Sequence, residues 1–137
     1  MSRKYVIKKL SKNDLGITGS HQSGFVVPKV IARMEFFPVL NSLEYNPRKT
    51  ISVICNGKSW QFSYIYYNNK LHGKGTRDEY RITGLAAFFR DNHCKEGDSL
   101  KIQSTEVDDC FEIEVIRETN IEDVLSKDLI IRADWAW

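Results

Sequence analysis

Residues 72 to 83, His72-Gly-Lys-Gly-Thr-Arg-Asp-Glu-Tyr-Arg-Ile-Thr83, set Lys74, Arg77 and Arg81 beside Asp78 and Glu79 in one short stretch. A segment that only clamps phosphate needs positive charge, and acids in its middle weaken that attraction. Reading base edges needs both signs. Arginine forks onto guanine O6 and N7, while Asp or Glu accepts from the cytosine N4 amino group. The same residues also fit a solvated surface strand with paired charges, so the choice rests on the rest of the chain.

A second polar stretch, Ser11 to Gly24, holds Gly16, Gly19 and Gly24 among small polar residues and ends where a strand begins. It either presents His21 and Gln22 at a surface, where His donates to phosphate or guanine and Gln pairs with adenine, or is simply a structured loop. It has neither the GxxxxGK[ST] spacing of a phosphate loop nor a strand followed by GxGxxG.

Other chemistries find weaker support. No two of Cys55, Cys94, Cys110 and the histidines have the short spacing of structural zinc ligands. Asp108, Asp109, Glu112 and Glu114 flank an alternating strand as its solvent face, in an acidic neighbourhood ill suited to DNA. A nucleophilic Cys or Ser with His21 or His72 has no local pattern behind it. Trp60, Tyr64 and Tyr66 have the stacking surface for single-stranded bases, but their period-two spacing fits core packing better.

The elements that must carry these residues belong to one domain, residues 1 to 137, of ordinary globular composition, 42% hydrophobic and 28% charged. The net charge of +2 hides a partition. Residues 1 to 90 hold 15 Lys and Arg against 5 Asp and Glu, and residues 91 to 137 hold 5 against 13. A basic face built by the first two-thirds and an acidic back follow, with nucleic acid the natural partner of the former. Three cysteines without a CxxC pair suit a reducing compartment. The absence of a long apolar span, and of a signal-like start after Met1, leads us to expect a cytoplasmic protein.

Strands are expected over Tyr5 to Leu10, Gly24 to Pro28 and Thr50 to Cys55. Asn56-Gly57 supplies a tight turn, and the return strand carries Trp60, Phe62, Tyr64 and Tyr66. Further strands are expected with Leu100 and Ile102 inward, over Cys110 to Ile116, and over Leu129 to Arg132. Helical spacing marks Val30 to Leu40 and Gly84 to Asn92, and Asn120 reads as the cap of a last helix through Leu125. A mainly β architecture results, an antiparallel barrel or pseudobarrel of seven or eight strands capped by two or three short helices.

Taken in order, Leu10-Ser-Lys-Asn-Asp-Leu-Gly-Ile-Thr-Gly-Ser-His-Gln-Ser-Gly-Phe-Val-Val-Pro28, then Ile65-Tyr-Tyr-Asn-Asn69, then His72 to Thr83, resemble the amino-terminal effector domain of EcoRII-type restriction endonucleases. That family carries an LSxNDxGxTGxHQxG run, a YYN strand and a GKTRNExRIT-like segment, and the likeness covers most of residues 5 to 105. It implies the DNA-binding pseudobarrel shared with plant transcription factors. Two arms, corresponding to residues 18 to 26 and 72 to 83, would grip the major groove like a wrench. Gly75 is an extra residue in the GKTR run, Tyr80 stands where a basic residue is common, and Val26 where an aromatic one occurs.

The resemblance implies a non-catalytic domain that binds double-stranded DNA without cofactor or metal and is joined to a nuclease domain. Its target would be a short GC-rich, nearly palindromic site such as CCWGG. The expected base readers are Arg77, Asp78, Glu79, Tyr80, Arg81, His21 and Gln22. Lys12, Ser20, Ser23, Lys70, Lys74 and Thr76 are expected on the DNA backbone. The alternatives are a compact metal-dependent nuclease using Asp109, Glu112 and a histidine, and an RNA-binding or protein-interaction barrel.

Overall fold

The computed structural model describes residues 4–16, 23–123, 125, 129–132 and 134–137. In chain order the elements are β1 (Tyr5–Lys9), β2 (Gly24–Val27), α1 (Lys29–Arg33), β3 (Arg48–Cys55), β4 (Lys58–Tyr67), β5 (Glu79–Thr83), α2 (Ala86–Asp91), β6 (Ser99–Ser104), β7 (Cys110–Ile116), a 3-10 turn (Glu118–Asp123), β8 (Ile131–Arg132) and β9 (Trp135–Ala136). Among the described residues the strands form one sheet in the order β2-β5-β4-β3-β7-β6-β1-β9-β8. Every pairing is antiparallel except β3 with β7. No described helix is long and apolar enough to cross a membrane.

Local sequence explains the centre of this sheet. Asn56 and Gly57 adopt φ of 52° and 76°, the two positive angles that let a two-residue turn match the twist of its flanking strands. The hairpin then pairs Ile51 with Phe62 and Val53 with Trp60. Ile51, Val53, Phe62 and Tyr64 are buried, as the alternation requires.

The ends of the sheet meet. At about 4.8 Å per strand, β2 and β9 would lie roughly 34 Å apart in a flat sheet of this order. Instead the Trp135 ring sits 5.5 Å from that of Phe25 in an edge-on contact, and its indole N–H donates to the Val26 carbonyl at 3.2 Å. The sheet is therefore curled into an open barrel whose seam is closed by side chains. Ile31 of α1 and Phe88 and Phe89 of α2 complete its core.

Three elements differ from their sequence patterns. The helix read over Val30 to Leu40 stops at Arg33, because Glu35 takes φ 57° and the chain turns to bury Phe37 against Tyr64 and Phe111. Burying an aromatic ring outweighs continuing a helix of modest propensity. The last helix is a 3-10 turn that begins at Glu118, before Asn120. The Glu118 N–H donates to the buried carboxylate of Asp98 at 3.1 Å, so Asp98, from a distant turn, satisfies its first amide. The final strand keeps only Ile131 and Arg132 and pairs with β9, which sequence reading missed.

Gly24 is required by close approach. A Cβ there would lie 2.3 Å from the Ile82 carbonyl oxygen of β5, and backbone cannot yield as a flexible side chain can. Gly24→Ala is expected to lower stability by about 1 to 3 kcal/mol, measured by urea unfolding, by prising β2 from β5.

Candidate nucleic-acid interface

β5 is held on both sides, and its alternation sorts the charged segment into two sets. Arg81 stands opposite Val26 of β2 and Ile65 of β4, and Glu79 opposite Tyr67. Tyr80 stands opposite Val27 and Tyr66, and Ile82 opposite Phe25 and Tyr64. Successive side chains of a strand face opposite ways. Glu79, Arg81 and Thr83 thus share an outer face with Val26, which is 41% exposed, while Tyr80 and Ile82 turn to the core side.

Arg77 joins the outer set. Its guanidinium lies 3.7 Å from the Tyr67 ring centroid, and its Nε donates to Glu79 Oε1 at 2.8 Å. Arg81, its side chain 16% exposed, approaches the same carboxylate oxygen at 3.8 Å. One carboxylate between two guanidiniums, one of them stacked on an aromatic face, is a pre-oriented hydrogen-bonding array. The Nε of Arg81 is shielded from solvent with no hydrogen-bond partner among the described residues, an uncommon state for a buried donor.

The turn leading into β5 is braced from outside. Asn68, 0% exposed, donates from its amide to the carbonyls of Ser42 and Glu44 at 3.1 and 2.7 Å. It also exchanges two hydrogen bonds with Asn46, each side-chain oxygen accepting from the other's backbone N–H at 2.7 and 3.0 Å. His72 Nε2 lies 3.1 Å from the Ser42 carbonyl. Asn69 donates to the Tyr45 hydroxyl at 2.8 Å, and Lys74 Nζ sits 4.7 Å over the Tyr45 ring. Gly75 adopts φ 126°, which side chains rarely reach, so the extra residue is absorbed in the turn. Lys70, Lys74 and Thr76 are exposed around it.

Asp78 and Tyr80 face the other way. Asp78 Oδ1 accepts from the Tyr66 hydroxyl at 2.8 Å, and Oδ2 from Lys29 Nζ of α1 at 2.5 Å. The hydrogen bond from Lys29, then that from Tyr66, holds the Asp78 carboxyl below its usual range. Burial, followed by the hydrogen bond to Asp78, pushes the Tyr66 phenol up to about 12. The Tyr66 ring stacks on Tyr80 at 4.2 Å and 6°.

The other arm is described only at its neck. His21, Gln22 and Ser20 lie outside the described residues. Asp14 accepts from the Ser11 N–H at 2.8 Å and donates its own N–H to Ser11 Oγ at 3.2 Å. Its carboxylate pairs with buried Lys8 at 3.1 Å. The Gly24 N–H donates to the Asp14 carbonyl at 3.0 Å, closing the base of the loop. Ser23 Oγ is 3.5 Å from the Leu15 carbonyl, and Lys12 is exposed beside it. This neck meets β2 opposite Thr83, whereas the braced turn enters β5 at Glu79. Four residues at about 3.4 Å each separate the two roots by roughly 14 Å along the outer face.

Sequence reading missed Lys29, Tyr67, Asn68 and the 42–46 loop. Only the Tyr67-Asn68 pair gave any signal, as part of a family pattern without a physical role. Among the described residues no three His, Cys, Asp or Glu side chains gather to hold a metal. Burial pushes the Cys94 thiol up to about 11, which makes it a poor nucleophile.

The Tyr66 to Asp78 contact dictates a pH window. The lowered carboxyl contributes stability that is present above its ordinary 3.8 and lost as pH falls through its folded-state value. The raised phenol contributes stability that is present below 10.0 and lost as pH rises toward about 12. Thermal midpoints of the native protein and Tyr66→Phe are expected to differ by a constant gap through neutral pH. That gap should narrow below about pH 4 and above about pH 10.

Comparison with known proteins places this geometry. Residues 2–133 match the family model described as restriction endonuclease EcoRII, N-terminal. The type II restriction enzyme EcoRII of Escherichia coli is 35% identical over 130 residues, covering 87% of this chain and 31% of that protein. The chain thus spans about a third of the length of this curated relative. Among solved structures, the Arabidopsis FUS3–DNA complex superposes with a TM-score of 0.59 at 17% identity, covering 81% of this chain and 94% of that one. That likeness establishes the shared pseudobarrel fold, as the curled sheet had indicated. With the family model matching nearly its whole length, the chain belongs to the EcoRII N-terminal domain family.

Proposed function

We propose that this chain binds double-stranded DNA sequence-specifically from the major groove, as the non-catalytic effector domain of a restriction endonuclease. The observation that carries this reading is the convergence of Arg77, Glu79 and Arg81 on one outer face between two arm roots. Their separation of roughly 14 Å suits a major groove about 12 Å wide. The relative's name, a type II restriction enzyme, and the DNA in the structural neighbour support it, as does the basic charge of residues 1 to 90.

Arg77 and Arg81 fork onto guanines, and Glu79 accepts from cytosine N4. His21 and Gln22 read from the first arm. Lys12, Ser20, Ser23, Lys70, Lys74 and Thr76 fix the register on phosphates. A short GC-rich, nearly palindromic site such as CCWGG is the first target class to try. The catalytic work falls to a nuclease domain of the same polypeptide, in the cytoplasm.

Duplexes selected from a random pool test both specificity and site symmetry. On the selected site, Arg77→Ala is expected to cost about 1 to 3 kcal/mol and to relax one base position. Lys74→Ala should weaken all duplexes alike and reduce the salt slope by about 1. Equal binding to duplex RNA would overturn the reading. Plasmid incubated with magnesium should stay intact, and cleavage abolished by Glu112→Gln would assign the chain a nuclease activity instead.

A further inference from the structure

We propose that Asp78, together with Tyr66 and Lys29, is a positioning unit that aims the groove-facing side chains, and that Asp78 does not itself read a base. This rests on the DNA-binding function proposed above. By residue type Asp78 is as good a cytosine acceptor as Glu79; its surroundings separate the two. Both of its carboxylate oxygens are taken, one by the Tyr66 hydroxyl at 2.8 Å and the other by Lys29 Nζ. The donors come from β4 and α1, elements on either side of the chain entering β5. To accept from cytosine on the face that carries Glu79, Asp78 would have to swing to the opposite side of its own backbone and so give up both contacts.

The geometry around Glu79 explains what such a unit does. Tyr66 holds Asp78 through its hydroxyl and Tyr80 through its ring, stacked at 4.2 Å. Those are the two chain neighbours of Glu79. Glu79 is therefore pinned from behind on both sides, and through its carboxylate it fixes Arg77 at 2.8 Å. Arg77 is steadied further by the Tyr67 ring at 3.7 Å, a direct chain neighbour of Tyr66. Base readout demands side chains held within about 0.5 Å of the productive geometry by groups behind them. The clamp supplies that support from residues that never face the groove.

The test uses Tyr66→Phe, Lys29→Gln, Asp78→Asn and the Tyr66→Phe/Asp78→Asn double variant, each confirmed folded by its thermal transition. Affinity is measured for the selected duplex, for its single base-pair variants and for a random duplex, over a range of salt. Tyr66→Phe and Lys29→Gln are each expected to lower the ratio of specific to random binding about tenfold. The loss should spread over every base pair the second arm reads, with random-duplex affinity and salt slope unchanged. The double variant should lose no more than the worse single, as members of one unit do. A single altered base preference in Asp78→Asn with Tyr66→Phe indistinguishable from native would make Asp78 a reader and overturn the proposal. Equal weakening of all duplexes by Lys29→Gln would assign Lys29 to phosphate and overturn it too. If the native protein itself binds every duplex alike, DNA reading is what fails, and this role falls with it.

Discussion

The register in which β5 pairs with β2 on one side and β4 on the other governs everything the charged segment can do. With Arg81 between Val26 and Ile65, and Tyr80 between Val27 and Tyr66, Glu79 and Arg81 must face outward while Tyr80 and Ile82 face the core. A slip of one residue would exchange the two sets, turning Arg81 to the face that now carries Ile82 and Tyr80 to the face that now carries Val26. Burial of Ile82, the tyrosine stack and the close contact of Gly24 with Ile82 all oppose that slip. The apolar core thus decides which face of the sheet each charge takes.

The segments that carry the polar groups are held by buried polar contacts in addition to their own turn hydrogen bonds. Asn68 ties the second turn to the 42–46 loop with side-chain bonds satisfied on every polar atom. Lys8 and Asp14 do the same for the neck of the first, with Asp134 of the C-terminal hairpin at 3.5 Å as a further partner of Lys8. Buried groups of this kind are costly when unpaired and stiff when fully paired, so they suit a surface whose geometry must be held before a ligand arrives. The second turn still presents Lys70 and Lys74 to solvent.

Charge follows sheet order. The turn joining β4 to β5 carries Lys70, Lys74 and Arg77 toward one end of the sheet, and β7, with Glu112 and Glu114, lies beyond β3. Since exposed charges are screened over about 8 Å at physiological salt, this separation lets a basic surface keep its field although the net charge is only +2. Such a field raises the rate of encounter with a polyanion more than the strength of the final complex.

By itself the sequence determined what local periodicity and turn chemistry encode: the Asn56-Gly57 hairpin, the inward rows of β6 and β7, the charge partition and, through shared motifs, the family. Only the tertiary structure decided that Phe37 would end α1 early, that Trp135 would close the barrel on Phe25, and that Asp98 would cap a turn some twenty residues away. It also split one polar run between two faces, with Arg77, Glu79 and Arg81 on one and Asp78 and Tyr80 on the other. The physical reason is range. A pattern of two or 3.6 residues reports which faces a segment has, but which face is buried, and which distant donor meets a given carboxylate, is fixed only when the sheet curls and its strands choose their partners.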